Sequence, residues 1–96
     1  MLESSVQNHL EEYARANGCL TYRLTLPGRR GWPDTLIITR RGVHGWAETK
    51  KPKGGKISPH QREIEEELIG NFCNHAFIKT KEEAENFVNE LLDMGC

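Results

Sequence analysis

Two short motifs in the middle of the chain place acidic and basic side chains at a spacing that suits metal-assisted hydrolysis. The motifs are G-W-P-D at residues 31–34 and A-E-T-K at residues 47–50. Hydrolysis of a phosphodiester needs an activated water and stabilisation of negative charge on phosphorus. A Mg²⁺ ion held by one or two carboxylates supplies both. Asp34 and Glu48 are therefore candidate metal ligands, with the backbone carbonyl of Thr49 as a third. Lys50 is a candidate for positioning or activating the attacking water, or for contacting the phosphate.

A β-hairpin is the element that would bring the two motifs together. Apolar residues predict a buried strand over 35–39, Arg40-Arg41-Gly42 predicts a turn, and residues 43–49 predict the partner strand. Side chains two apart on a strand share a face, so Glu48 and Lys50 point one way and Thr49 the other. Such a hairpin puts Asp34 at the same open end as Glu48. Either motif alone is common by chance, and each would also fit an edge hairpin with exposed charges.

The remaining pattern predicts a mixed α/β sheet flanked by helices, in a single domain of residues 1–96. The elements in order are a helix over 3–17, strands over 19–26, 35–39 and 43–49, a helix over 59–69, a strand over 75–78 and a helix after Thr80. Ser58 and Gln61 are placed to form a capping box for the second helix. Phe87, Val88 and Leu91 form an apolar stripe that we expect to be core.

Charge is distributed unevenly along the chain, although the net charge is only −1. From Arg23 to Arg62 there are ten basic residues and two acidic ones, which gives +8, and the flanks hold three basic and twelve acidic residues, which gives −9. A basic central segment favours a polyanionic partner such as DNA. Solvated charge on loops and helix faces is the alternative explanation.

The composition argues against membrane, disulfide-rich and zinc-binding classes. No apolar run approaches the roughly 20 residues that span a bilayer, and M-L-E-S-S-V is not a signal peptide, which favours a cytoplasmic protein. Cys19, Cys73 and Cys96 form no C-x-x-C pair, so we expect free thiols, with Cys96 the most exposed. The four histidines share no ligand spacing, and His60 alone lies beside a candidate site residue.

Together, G-W-P-D, the short apolar strand, A-E-T-K, the basic loop that follows and S-P-H-Q at residues 58–61 resemble the PD-(D/E)xK nuclease superfamily. More narrowly, they resemble the virus-type replication-repair nuclease (VRR-NUC) domain in its stand-alone, phage-like form. The resemblance extends from Glu3 to about Ile78. It implies a restriction-endonuclease-like core, Mg²⁺ or Mn²⁺ as cofactor, and structure-selective cutting of DNA, with branched and Holliday junctions as candidate substrates.

By position, the resemblance assigns Asp34 and Glu48 to the metal-binding carboxylates and Lys50 to the catalytic lysine. It also assigns Glu3 to a first-helix glutamate that faces the metal, often through water, and Gln61 to a glutamine near the active site. Glu3 would otherwise be a first-turn acid favoured by the helix dipole. Gln61 would otherwise be only the partner in the capping box, and its two roles are compatible.

The chain departs from the family pattern at two positions. Thr49 stands where a hydrophobic residue is more usual, and we expect a small change in packing because its side chain faces away from the metal. Gln7 stands where a second acid of the first helix would be expected, so the metal role of that helix depends on Glu3.

The loops beside the motifs carry candidate DNA-binding residues. They are Arg29, Arg30, Lys51, Lys53 and Lys56, and arginine in particular suits bidentate contact with phosphate. Trp32 would either stack on a splayed base or pack in the core, and Trp46 shares a face with Glu48 and is expected to pack near the site.

The leading interpretation is a metal-dependent DNA endonuclease, and we expect a homodimer because two symmetric cuts need two sites. A non-catalytic nucleic-acid-binding module using the same basic segment is the alternative. A small interaction domain with incidental charge is the third.

Overall fold

The helices and strands follow one another in the predicted order. The computed structural model describes residues 3–25, 27–28, 30–51 and 53–94, with the side chains of residues 3 and 4 outside the description. In chain order the elements are α1 (Glu3–Ala16), β1 (Leu20–Arg23), β2 (Thr35–Ile38), β3 (His44–Thr49), α2 (Pro59–Gly70), β4 (Asn74–Ile78) and α3 (Lys81–Asp93). The predicted mixed sheet flanked by helices is therefore confirmed, with most boundaries shifted by one residue.

The four strands form one sheet in the order β1-β2-β3-β4. β1 pairs antiparallel with β2, β2 pairs antiparallel with β3, and β3 pairs parallel with β4. Two parallel strands need a crossover connection, and α2 lies within that connection. The predicted hairpin is β2–β3, and its turn is closed by a hydrogen bond from the backbone N–H of Gly42 to the carbonyl of Thr39 at 3.0 Å.

The main core lies between the sheet and the pair α1 and α3. It contains Val6, Leu10, Ala14, Cys19, Ile37, Ala47, Ile78, Ala84, Phe87, Val88 and Leu91. Burial alternates along β3, from exposed His44 and buried Gly45 to half-buried Glu48 and buried Thr49, as expected when one face of a strand meets the core. The predicted apolar stripe of α3 is thus confirmed as core. Ile64 and Leu68 are buried on α2, which packs on the opposite face of the sheet.

The helix ends follow the local chemistry of the sequence. The Ser58 side chain accepts a hydrogen bond from the backbone N–H of Gln61, and the Gln61 side chain accepts one from the backbone N–H of Ser58. This is the predicted capping box. Thr80 caps α3 by accepting from the backbone N–H of Glu83. Beyond α1, Gly18 has a φ of +83° and the N–H of Cys19 reaches back to the carbonyl of Ala14 at 3.0 Å.

β1 is shorter than the predicted strand over residues 19–26. It is an edge strand, and its only partner among the described strands begins at Thr35, so the ladder ends where Arg23 faces Thr35. Leu20 and Tyr22 are about half exposed, because an edge strand has neighbours on one side only. Leu26, the last residue of the predicted strand, lies outside the described residues.

None of the helices in the described part of the chain is long and apolar enough to cross a membrane. Of the three cysteines, Cys19 is buried and Cys73 half-buried, and both are free thiols, as expected. Cys96, expected to be the most exposed, lies outside the described residues.

Candidate active site

The register of the β2–β3 hairpin brings Asp34 and Glu48 opposite each other. Thr35 pairs with Ala47 at the end of the ladder, so the next residues outward are Asp34 on one strand and Glu48 on the other. Glu48 faces α2, since its Oε1 accepts from Gln61, and Asp34 Oδ1 accepts from Thr35 Oγ1. Asp34 is exposed, whereas Glu48 is half-buried and its Oε2 atom is shielded from solvent. Asp34 therefore presents its carboxylate to solvent at the open end of the hairpin, whereas Oε2 of Glu48 is enclosed.

The end of β3 adds a backbone carbonyl and a lysine to this region. The N–H of Lys50 donates to the carbonyl of Ile78 on β4 at 2.7 Å. Because the peptide group is planar and trans, the Thr49 carbonyl points to the other side of β3, where Asp34 lies. Lys50 is two residues beyond Glu48 and half-buried. The third predicted ligand and the predicted catalytic lysine thus lie at the same end of the hairpin as the two carboxylates.

Gln61 joins the second helix to the site. Its Nε2 donates to Oε1 of Glu48 at 2.7 Å, and its Oε1 accepts from the backbone N–H of Ser58 at 2.9 Å. The same Gln61 side chain therefore takes part in the capping box and contacts Glu48. One side chain closes the capping box and restricts the rotation of the Glu48 carboxylate. His60, the neighbouring residue, is exposed in the first turn of α2.

The G-W-P-D segment is held tightly between the sheet and α2. Pro33 is fully buried. Gly31 has a φ of +90°, and a Cβ added there would lie 2.5 Å from the carbonyl carbon of His60. Only glycine combines this backbone conformation with such a close approach. Trp32 and Trp46 are half-buried and pack edge to face with ring centroids 5.7 Å apart, which favours the packing role for Trp32 over an exposed stacking platform.

Behind the carboxylates lies a buried polar network that the sequence did not indicate. Gln7 of α1 donates from Nε2 to Thr35 Oγ1 at 2.8 Å and accepts from Thr49 Oγ1 at 3.0 Å. Thr35 Oγ1 in turn donates to Oδ1 of Asp34 at 3.1 Å. All three side chains are buried. A signal for this network does exist in the sequence, because a threonine follows each of the two carboxylates, on the faces that also carry Ile37 and Ala47.

Glu11, one turn beyond Gln7 on α1, contacts both this network and strand β1. Arg23 Nε and Nη2 donate to its two carboxylate oxygens at 2.9 Å each. This hydrogen bonding lowers the pKa of Glu11, and a hydrogen bond from Gln7 contributes in the same direction. The β1 edge is therefore tied by an ion pair to the helix that carries Gln7.

The predicted basic residues divide between the two ends of the sheet. Arg30, Lys51, Lys53 and Lys56 are exposed in loops beside the carboxylates. Arg40 and Arg41 belong to the β2–β3 turn at the opposite end, and Arg62 pairs with Glu65 at 2.9 Å. The basic central segment is therefore not one continuous face. Arg29 and the side chain of Glu3 lie outside the described residues, although Glu3 begins α1 one turn before Gln7.

In the described part of the chain, no group of three or more His, Cys, Asp or Glu side chains is arranged to hold a metal. Two carboxylates and a carbonyl nevertheless match the needs of Mg²⁺, which usually keeps several waters and takes only one or two protein carboxylates. The oxygen ligands at the open end of the β2–β3 hairpin therefore fit a hard divalent cation.

The helix order and mixed sheet define an α/β domain with a restriction-endonuclease-like core. A solved structure described as a VRR_NUC domain matches 91% of this chain and 94% of its own length, with a TM-score of 0.83 and 31% sequence identity. A protein of Acyrthosiphon pisum secondary endosymbiont phage 1 named "Putative nuclease p44" is 39% identical over 59 residues. The match covers 62% of this chain and 62% of that phage protein. No family model matches the sequence. On the likeness of sequence and structure to the solved domain, the chain belongs to the VRR-NUC family.

Proposed function

We propose that the protein is a Mg²⁺- or Mn²⁺-dependent DNA endonuclease that hydrolyses phosphodiester bonds. The observation that carries the proposal is the placement of Asp34 opposite Glu48 at the open end of β2–β3, one residue beyond the Thr35–Ala47 pair. A protein that only binds DNA gains nothing from two carboxylates beside its phosphate-binding loops, because they repel the phosphates. The names of the phage relative and of the solved domain support a nuclease.

Asp34, Glu48 and the Thr49 carbonyl would hold the metal, with Glu3 completing the set through water. When bound, the metal would lower the pKa of a coordinated water and neutralise charge on the phosphate. Gln61 holds Oε1 of Glu48 at 2.7 Å, which keeps that carboxylate in one orientation. Lys50 lies two residues along the same face and would orient the attacking water or contact the phosphate that is cut.

The cations of the two loops that border the motifs would hold the DNA backbone. Arg29 and Arg30 precede G-W-P-D, and Lys51, Lys53 and Lys56 follow A-E-T-K. A DNA strand that contacts both loops would pass over the open end of the β2–β3 hairpin, because the two motifs meet there. These contacts would be independent of DNA sequence, so we expect affinity to fall steeply with salt.

We further propose that the enzyme acts on branched DNA as a homodimer. One chain offers one site, and one site cuts one strand at a time. A C₂ dimer carries two equivalent sites, which match the symmetry of a four-way junction. Light scattering at micromolar concentration tests the assembly, and a monomeric mass with no preference for junction over duplex would overturn this part of the proposal.

A cleavage panel tests the activity itself. End-labelled duplex, flap, fork and four-way junction DNA are incubated with Mg²⁺, Mn²⁺ or a chelator, and Asp34→Asn serves as the matched inactive protein. We expect cleavage only by the unaltered protein with metal. Absence of cleavage on every substrate would contradict the proposal. If salt-dependent DNA binding remained in that case, the non-catalytic binding module would be the better interpretation.

A further inference from the structure

Behind the candidate metal site lie three buried polar side chains that belong to different elements. Gln7 is 7% exposed, Thr35 0% and Thr49 5%. They lie between α1 and the sheet, on the side of the sheet opposite the face that carries Glu48. Polar groups buried in this way are costly unless they are hydrogen-bonded. An all-apolar contact between α1 and the sheet would need no hydrogen bonds. The three buried polar groups are therefore expected to serve a purpose other than packing.

The hydrogen bonds of the network have one consistent direction. Thr49 Oγ1 donates to Oε1 of Gln7, and Nε2 of the same amide donates to Thr35 Oγ1. Because Nε2 is a donor, it occupies a lone pair of the Thr35 oxygen. The single hydroxyl hydrogen of Thr35 is then directed to Oδ1 of Asp34. With the amide reversed, Thr35 would donate to Gln7, and its lone pairs would face the Asp34 carboxylate.

The network also includes Thr49, whose backbone carbonyl is the third candidate metal ligand. Thr49 is anchored to α1 by its side chain, and its carbonyl points from β3 towards the side of Asp34. One amide on α1 therefore holds the residues next to both carboxylates, Thr35 after Asp34 and Thr49 after Glu48. Groups that orient a ligand from behind typically change metal affinity or activity by about 10- to 100-fold when removed.

We propose that Gln7 is a positioning residue of the metal site, which fixes the Asp34 carboxylate through Thr35 and the Thr49 carbonyl through its side chain. This inference rests on the proposed function, since it assumes that Asp34 and Thr49 hold the metal. Gln7 itself contacts neither metal nor substrate. Its amide sets the direction in which Thr35 donates.

The test compares Gln7→Met and Thr35→Val with Thr35→Ser and Thr39→Val. Gln7→Met keeps the length of the side chain and removes the amide, and Thr35→Val keeps the shape and removes the hydroxyl. Thr35→Ser restores the hydroxyl. Thr39 is a matched control, because it is a buried threonine at the far end of the same hairpin whose Oγ1 accepts from the N–H of Val43 at 3.1 Å.

Mn²⁺ affinity is measured by calorimetry without DNA, together with thermal unfolding and the separate values of kcat and KM. Gln7→Met and Thr35→Val should weaken Mn²⁺ binding by about 10-fold or more, with a lower kcat and little change in KM for DNA. Thr35→Ser should retain most of the affinity. Thr39→Val should lower the unfolding temperature but leave Mn²⁺ affinity within about twofold, since distant sites act independently.

Two outcomes would overturn the inference, and they can be told apart by including Asp34→Asn. If Asp34→Asn loses Mn²⁺ while Thr35→Val binds it as tightly as Thr39→Val does, the network is structural only and the proposed function stands. If the unaltered protein binds no Mn²⁺, the proposed function fails and this inference fails with it.

Discussion

The G-W-P-D loop and the basic loop border the candidate site from two sides, and they differ in how firmly they are packed. In the first, Pro33 is fully buried and Gly31 approaches the backbone of His60 so closely that a Cβ would not fit. In the second, residues 51–57, Lys51, Lys53 and Lys56 are exposed, and a Cβ added at Gly54 would meet open space. Within this second loop, only Gly55 is closely packed among its two glycines, because it lies against the backbone of Lys51.

This difference assigns separate tasks to the two loops. A segment fixed on both sides can hold Asp34 in one position, which chemistry at a metal requires. A segment of exposed lysines can follow a flexible polyanion, which binding requires. Changes in the first loop should therefore act on rate and stability, and changes in the second on affinity and its salt dependence.

The largest effect is expected from the two carboxylates. Asp34→Asn and Glu48→Gln should each lower cleavage by at least about 100-fold, because a metal contributes several kcal/mol to stabilising the transition state. Mn²⁺ binding should weaken, as calorimetry can measure. Without metal, thermal stability should be equal or higher, because the repulsion between the two carboxylates is relieved. Substantial activity in either variant would contradict the assignment.

The next effect is expected from Lys50→Met, which keeps the aliphatic stem and removes the charge. Cleavage should fall by about 10- to 100-fold, as for loss of a group that assists proton transfer or positions water. Metal affinity should stay equal or rise, because a nearby cation is removed. DNA affinity should change little while Lys51, Lys53 and Lys56 remain. Loss of metal binding in this variant would indicate a structural role for Lys50.

A third prediction tests the packing of the G-W-P-D loop by comparing Gly31→Ala with Gly28→Ala. Both glycines have a left-handed φ, +90° and +88°, so both substitutions share the conformational cost. Only at Gly31 would the new Cβ meet the backbone of His60 and Gln61. We expect Gly31→Ala to be the less stable of the two by an additional 1–3 kcal/mol or so, the usual cost of overpacking.

Chemical denaturation measures the difference in unfolding free energy between the two variants, and a cleavage assay compares their rates. Because the clash displaces the start of α2, Gln61 should be displaced from Glu48, and the rate should fall in Gly31→Ala but not in Gly28→Ala. Equal stability and equal rates in the two variants would show that the close contact does not constrain the site.

The smallest effect is expected from the basic loop. The double variant Lys53→Ala with Lys56→Ala should weaken DNA binding and reduce the slope of log affinity against log salt by about 2, one for each phosphate contact. The rate at saturating DNA should be unchanged. Lys53→Ala alone is compared with Arg41→Ala as the matched control, because each removes one charge and Arg41 lies in the turn at the opposite end of β2–β3. An equal loss of affinity in that control would indicate that DNA does not lie along the open end of β2–β3, where Asp34 and Glu48 are.

Much of the site's framework follows from local patterns in the sequence. Thirteen residues separate Asp34 from Glu48, and a turn at Arg41-Gly42 is enough to make these residues face each other. The capping box of Ser58 and Gln61 is also local, since its partners are three residues apart. The predicted strand over 19–26 was too long because alternation alone does not show where the partner strand begins.

What the sequence determined by itself was therefore the order of the elements, the β2–β3 hairpin and the candidate carboxylates at its open end. These depend on contacts between near neighbours and on the period of two along a strand. Only the tertiary structure decided that Gly31 meets the start of α2 and that Gln7 joins Thr35 to Thr49. The physical reason is that these contacts join residues about 28 to 42 positions apart, so they depend on how α1 and α2 are packed against opposite faces of the sheet.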